Sequence, residues 1–96
     1  MIDVRQTDTF KQWLSGLRDR VSAAIIARRI RRLEDGNFGD VKSVGDRVSE
    51  LRIDCGPGFR VYLTRRGQEV VILLCGGDKS TQARDIATAK SLLKEL

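Results

Sequence analysis

Histidine is absent from this chain of 96 residues, and cysteine is scarce, with only Cys55 and Cys75. The lack of histidine removes the commonest general base and the commonest metal ligand of proteins. Two cysteines outside any metal-ligand spacing favour reduced thiols over a disulfide framework. We therefore expect no bound metal ion and no other cofactor.

Long apolar runs are also lacking. The longest one, from Val70 to Cys75, is far too short to cross a bilayer, and the first residues do not have the pattern of a secretory signal. We therefore expect a cytoplasmic protein that makes no contact with a membrane.

Negative charge is in the minority, with 13 Asp and Glu against 18 Lys and Arg and a net charge of +5. This balance favours a polyanionic partner, although a basic surface that only confers solubility would have the same composition. The length and a hydrophobic content of 41% are typical of one globular domain, which we place at residues 1–96.

The first part of the chain has the patterns of a short strand and two helices. Alternation over Met1 to Arg5 predicts the strand, and Asp8 is a candidate helix N-cap. The second helix is predicted from about Val21 to Asp35, with Gly36 just beyond its end. The apolar face of the first helix, which we expect to be core, comprises Phe10, Trp13, Leu14 and Leu17. Because the link between the helices is short, we expect an antiparallel αα-hairpin.

Four arginines lie in the last turns of the second helix, namely Arg28, Arg29, Arg31 and Arg32. They are consistent with a basic face for RNA or an acidic partner. They are equally consistent with cations that oppose the helix dipole, and the sequence leaves both interpretations open.

Three strands are predicted between Glu50 and Asp78, where short apolar or alternating runs are separated by glycine-containing turns. Matching the apolar sets of the first two strands puts Ile53 opposite Phe59 and Leu51 opposite Val61. The same register puts Arg52 opposite Arg60 and Glu50 opposite Tyr62, on a face that we expect to be open to solvent. Like charges directly opposite are destabilising, which indicates either a functional surface or neutralisation by Glu50 or Asp54.

The third strand, from Val70 to Cys75, is apolar at every position, which predicts cover on both faces by the C-terminal helix or by a partner. Gly76 to Thr81 then predicts a turn whose free amides, with Lys79, could hold a phosphate. The alternative is an ordinary turn capped by Asp78. A last helix is predicted over Ser80 to Leu96, which completes an α+β fold with an αα-hairpin, an antiparallel sheet and a C-terminal helix.

Three segments together resemble a known family: Arg47 to Ile53, Gly56 to Leu63, and Val71 to Gln82 with its Gly-Gly-Asp-Lys-Ser-Thr-Gln sequence. They are similar to the RelE/ParE toxin superfamily, above all to its HigB-like, phage-derived "addiction module killer" branch. The resemblance implies a compact RelE-like domain and a toxin that is neutralised by a cognate antitoxin of the helix-turn-helix type. Many members of the superfamily cut mRNA in the ribosomal A site, whereas others inhibit DNA gyrase.

The resemblance also implies a site. Arg60 matches the phosphate-binding arginine, Arg52 a basic position on the preceding strand, and Lys79 a basic residue after the last strand, while Glu50 stands where a second basic residue is expected. These four are our catalytic candidates. The candidates for contact with RNA are Lys42, Arg47, Tyr62 and Arg65. The C-terminal tyrosine or histidine of many ribonuclease members has no counterpart.

The sequence therefore predicts the toxin of a type II toxin–antitoxin system, a ribosome-dependent mRNA endonuclease whose partners are the antitoxin, the ribosome and mRNA. Arginine forks suit the charge of a phosphorane, and Lys79 could donate or accept a proton. Two alternatives stay open: a toxin that inhibits gyrase without catalysis, and a decayed toxin that only binds its antitoxin.

Overall fold

A five-stranded sheet lies at the centre of the computed structural model, which describes residues 1–96. The strands stand in the order β1-β5-β4-β3-β2. The elements in chain order are β1 Asp3–Gln6, α1 Asp8–Ser15, α2 Arg20–Glu34, β2 Val41–Gly45, β3 Val48–Ile53, β4 Phe59–Arg66, β5 Val70–Asp78, a 3₁₀ turn Lys79–Thr81 and α3 Gln82–Lys94. The predicted α+β architecture is confirmed. None of the helices has the length and apolar character needed to span a membrane.

Strands β3 and β4 pair in the register that their apolar residues predict. Ile53 lies opposite Phe59 and Leu51 lies opposite Val61, so that all four point into the same core. The register therefore also places Arg52 opposite Arg60.

The edge strand β1 adds a feature that local patterns did not predict. It runs parallel to β5, with Asp3 beside Val70 and Gln6 beside Leu73, whereas all other neighbouring strands are antiparallel. The sheet is therefore mixed, because the chain returns through both N-terminal helices and three strands before it reaches β5.

Helices α1 and α2 supply residues to the core on one face of the sheet. Trp13 packs there with its ring centroid 5.7 Å from Phe10 and 6.1 Å from Phe59, which agrees with its expected role in the core. The buried members of this cluster are Phe10, Ile26, Ile30, Leu33, Leu51, Ile53, Phe59, Val61, Leu63, Val71 and Leu73.

Helix α3 covers the other face of the sheet, as the uniformly apolar third strand predicted. A second cluster forms beneath it, with Ala89 of α3 against residues of β3, β4 and β5. Its buried members are Val48, Tyr62, Ile72, Leu74, Cys75 and Ala89. The face that carries Glu50 and Tyr62 is therefore interior over part of its length, and our expectation of an open solvent face was wrong there.

The helix ends differ in one respect from prediction. Thr7, not Asp8, caps α1, because its Oγ1 accepts a hydrogen bond from the Phe10 amide at 3.0 Å. Asp19 caps α2, and Gly36 follows that helix with a φ of 82°, a conformation that glycine adopts without a side-chain clash.

Gly76 and Gly77 do not form the predicted turn but extend β5 to Asp78. A Cβ atom at Gly76 would overlap the Trp13 ring, and one at Gly77 would overlap the Asp85 carboxylate. Glycine is needed at these two positions because α1 and α3 approach the strand closely from opposite sides.

Candidate phosphate-binding cleft

A cleft of about 420 Å³ opens where the end of β3, the start of β4 and the 3₁₀ turn meet. None of its lining residues is hydrophobic. The lining comprises Asp40, Arg52, Asp54, Gly56, Pro57, Gly58, Arg60 and Lys79. Three of the four predicted catalytic residues therefore line one cleft, and the fourth, Glu50, lies behind it.

Glu50 is the buried centre of this group, with none of its surface exposed. Its Oε1 accepts a hydrogen bond from Nε of Arg52 at 3.2 Å and lies 3.8 Å from Nε of Arg60. The opposed arginines thus share one carboxylate oxygen, which offsets much of their mutual repulsion. The predicted diagonal neutralisation by Glu50 is present, as a buried contact and not as a surface ladder.

The other carboxylate oxygen of Glu50 has neutral partners. Oε2 accepts hydrogen bonds from the Tyr62 hydroxyl at 3.2 Å and from Nε2 of Gln82 at 2.8 Å. Burial alone would raise the pKa of Glu50, but the hydrogen bonds from Gln82, Arg52 and Tyr62 outweigh it and hold the pKa below its ordinary value. Glu50 is therefore a charged anchor and a poor proton acceptor.

The arginines keep donors for a ligand. Arg52 uses only Nε within the protein, so both of its terminal nitrogens are without a protein partner. Arg60 is 8% exposed, donates from Nη1 to the Phe59 carbonyl at 3.0 Å, and leaves its buried Nε without a hydrogen bond. That Nε faces Oε1 of Glu50 at 3.8 Å, whereas the terminal nitrogen Nη2 makes no hydrogen bond within the protein and is the donor of Arg60 that a ligand could use.

The 3₁₀ turn brings Lys79 to the cleft. The Lys79 amide donates to the Gly58 carbonyl at 3.0 Å, and its side chain passes so close to Gly58 that a Cβ atom there would lie 3.0 Å from Cδ. Gly58 also has a φ of 83°. Asp78 accepts a hydrogen bond from the Ser80 amide at 2.8 Å, so the predicted cap of the turn by Asp78 is present. The backbone amides of Lys79 and Ser80 therefore both have protein partners and are not free to bind phosphate.

Arg29 also supports this region, a role that the sequence pattern did not predict. Its Nη1 donates to the Arg52 carbonyl at 2.8 Å, and its Nη2 donates to the Phe38 carbonyl at 3.2 Å. It thus ties α2 to the end of β3 and to the loop before β2. The sequence pattern does not distinguish Arg29 from its three neighbours in α2. The structure does, because Arg28, Arg31 and Arg32 are exposed whereas Arg29 is half-buried.

The four residues predicted to contact RNA are dispersed. Lys42 is exposed on β2 opposite Glu50, and Arg47 is exposed in the β2–β3 turn. Arg65 is exposed and stacks over the Phe38 ring at 4.4 Å, at the other end of β4 from Arg60. None of these three lines the cleft.

Tyr62 is the residue whose predicted contact with RNA needs correction. It has no exposed surface, because α3 covers it and Glu50 accepts its hydroxyl hydrogen bond. Burial, and then the charge and hydrogen bond of Glu50, raise the pKa of Tyr62 well above its ordinary value of 10.0. Tyr62 therefore supports the carboxylate from within and does not face a ligand.

This burial predicts a simple titration, because Tyr62 is the only tyrosine. The folded chain is expected to show almost no phenolate absorbance at about pH 11, where a free tyrosine is mostly ionised. The same chain in denaturant is expected to titrate near its ordinary pKa of 10.0. Phenolate absorbance near pH 10 in a chain that circular dichroism shows to be folded would contradict the burial of Tyr62 beneath α3.

The main chemical role that the residues of this cleft can have is electrostatic stabilisation of an anion. Burial raises the pKa of the Cys75 thiol to about 12, so this buried cysteine is not a nucleophile. Two arginines and a lysine can bind a phosphate and stabilise added negative charge on it. Asp40 and Asp54, which are exposed and line the same cleft, are proton acceptors by type.

A family model for phage-derived Gp49-like proteins (DUF891) matches residues 12–94. The chain belongs to this Gp49-like family. The family is associated with addiction-module toxins, which agrees with the coarser part of the predicted resemblance. The matched range begins within α1 and includes α2, the cleft and α3.

An uncharacterised protein of Haemophilus influenzae is 56% identical over 95 residues, which cover 99% of this chain and 96% of that protein. A conserved hypothetical protein of Helicobacter pylori has a similar solution structure, with a TM-score of 0.54 and 24% sequence identity. That likeness covers 83% of this chain and 97% of the other. It shows that the fold is shared.

Proposed function

We propose that this Gp49-like chain is the toxin of a type II toxin–antitoxin module, with a RelE/ParE-type activity that cuts mRNA on the ribosome. The observation that carries the proposal is the pair of opposed arginines, which both line a cleft that has no hydrophobic residue in its lining. Glu50 supplies one negative charge against the two positive charges of this pair, so the pair retains a net positive charge for an anion. The planar forks of two guanidinium groups match the oxygens of a phosphate.

The proposed reaction is attack of a ribose 2′-oxygen on the adjacent phosphorus, followed by departure of the 5′-oxygen. The Arg52 and Arg60 guanidinium groups bind the non-bridging oxygens and stabilise the dianionic phosphorane. Lys79 at the mouth of the cleft is suited to protonate the leaving oxygen, and Asp40 or Asp54 to accept the 2′ proton. Glu50 holds the arginines and does not touch RNA.

The ribosome has a defined part in the proposal. The cleft is polar and lacks a stacking aromatic, because Tyr62 is buried and Trp13 lies in the core. It therefore offers little to orient a free strand, while alignment of the 2′-oxygen with the phosphate supplies much of the rate in such reactions. We propose that the ribosome supplies this alignment and that an antitoxin, of helix-turn-helix type, neutralises the chain.

Induction in a bacterium without the antitoxin tests the proposal. We expect growth arrest together with new transcript 5′ ends that are phased with codons. Arrest with DNA damage and intact transcripts would instead support inhibition of gyrase. Normal growth, with the protein present in the cells, would leave only antitoxin binding and would overturn the toxin assignment.

A further inference from the structure

We propose that Gln82, the first residue of α3, is a positioning residue for the anion-binding arginines and acts on them through Glu50. The inference rests on the proposed function of the cleft. Gln82 does not line the cleft, so any effect on phosphate binding has to pass through the buried carboxylate. The hydrogen bond from α3 to Glu50 is made by the neutral side-chain amide of Gln82 and not by a charged group of the helix.

The two oxygens of Glu50 have separate tasks. Oε1 faces the Nε atoms of Arg52 and Arg60, while Oε2 accepts only from Tyr62 and Gln82. The Gln82 bond is the shorter of the two bonds to Oε2, at 2.8 Å against 3.2 Å. Because a carboxylate is planar, fixing Oε2 in this way also fixes the direction in which Oε1 points.

The direction of Oε1 decides what the arginines present to the cleft. When Oε1 engages Nε of Arg52, the terminal nitrogens of that guanidinium remain for a ligand. A carboxylate free to rotate could take both ends of one guanidinium fork in a bidentate pair, which is the favoured arginine–carboxylate geometry. Gln82 and Tyr62 together prevent that rotation, so the positive charge stays directed into the cleft.

Gln82 also couples the site to the docking of α3. The helix begins at Gln82, directly after the 3₁₀ turn that carries Lys79. Asp85, one turn further on, accepts a hydrogen bond from Thr81 and sits against Gly77 of β5. The start of α3 thus places Gln82 over Glu50 and Lys79 beside the arginines at the same time.

The test compares Gln82→Ala with Gln12→Ala, a matched change at an exposed helical glutamine of α1. Inorganic phosphate is titrated into each purified chain while the Nε–H signals of Arg52 and Arg60 are followed by ¹⁵N NMR. We expect Gln82→Ala to weaken phosphate binding roughly 5- to 30-fold and to shift both arginine signals before phosphate is added. We expect Gln12→Ala to match the wild type.

A volume-matched variant separates positioning from simple stabilisation. Gln82→Met keeps most of the side-chain volume at the start of α3 but cannot donate a hydrogen bond to Oε2 of Glu50. Positioning predicts that Gln82→Met weakens phosphate binding as Gln82→Ala does, even where its melting temperature stays near that of the wild type. Phosphate binding by Gln82→Met at the wild-type affinity would overturn the inference.

The remaining outcomes separate the inference from the proposed function. If the wild type binds phosphate and arrests growth, and Gln82→Ala binds phosphate equally well, the inference alone fails. If the wild type neither binds phosphate nor arrests growth, the proposed function fails and the inference fails with it. If Gln82→Ala does not fold, Gln82→Met decides the matter through its phosphate affinity.

Discussion

Replacing Arg60 by methionine is expected to abolish growth arrest and to lower mRNA cleavage on the order of 10²–10³-fold. The side chain of Arg60 is nine-tenths buried, its Nε has no hydrogen-bond partner, and it borders the cleft. Methionine retains much of the volume and removes the charge that would stabilise the phosphorane. Transcript 5′ ends and growth after induction measure the effect.

In contrast to its activity, the stability of Arg60→Met is expected to stay close to that of the wild type. Removing a guanidinium that lies directly opposite Arg52 relieves like-charge repulsion, while Glu50 keeps Arg52 as its partner. We expect the free energy of unfolding to change by less than about 1 kcal/mol in either direction. An inactive variant that melts like the wild type would show that Arg60 is retained for function and not for folding.

Arg66→Met is the matched control, because it removes the same charge from the exposed far end of the same strand. It is expected to remain toxic. If Arg60→Met were as toxic as Arg66→Met while both accumulated to the level of the wild type, Arg60 would have no place in the site.

Replacing Glu50 by glutamine is expected to destabilise the fold by about 2–3 kcal/mol, since two arginines would then face each other without a shared anion. In a chain of 96 residues this corresponds to a fall in melting temperature of roughly 10–20 °C. Thermal unfolding followed by circular dichroism measures it. Glu69→Gln, at an exposed glutamate outside any ion pair, is the matched control and should melt near the wild type.

The pH dependence of the Glu50→Gln effect follows from the lowered pKa of Glu50. A carboxyl whose folded pKa lies below its ordinary value of 4.5 stabilises the fold above that pH, and the contribution is lost as pH falls through the folded pKa. The difference in unfolding free energy between wild type and Glu50→Gln should therefore be full at about pH 6 and shrink toward about pH 3. A difference that stays constant over this range would contradict a charged Glu50 in the folded state.

The β3–β4 register was predictable from sequence because a slip by one residue would separate Leu51 and Ile53 from the face of Phe59 and Val61, and the short connection between the strands limits larger slips. The opposition of Arg52 and Arg60 followed from that register without any knowledge of the fold. Local pattern was sufficient here because both strands are adjacent in the chain and joined by a short turn.

The burial of Glu50 and Tyr62 was not predictable in the same way. Polar residues that alternate with apolar ones normally face water, and only the arrival of α3 on this face makes them interior. The signal that could have found it was the uniformly apolar third strand, which required cover on both faces. The hydrogen bond from Gln82, 32 residues from Glu50, depends wholly on how that helix docks.

The Gly76-Gly77 pair shows how one residue type carries two signals. Glycine marks turns that need positive φ, and it also marks places where neighbouring groups approach a strand closely. Neither glycine has a positive φ, and both serve the second purpose, against Trp13 and Asp85. Sequence alone could not decide between these purposes, because both partners lie on helices packed from opposite faces.

Cleavage of mRNA on programmed ribosomes tests the central claim most directly. The purified chain, freed from its antitoxin, is added to ribosomes that hold a defined mRNA with a codon in the A site, and the RNA ends are mapped. We predict one cut within that codon, a 2′,3′-cyclic phosphate on the upstream fragment, and no comparable cutting of the same RNA without ribosomes or by Arg60→Met. Intact mRNA with a preparation that arrests growth in cells, or rapid cutting of the naked RNA, would contradict the account.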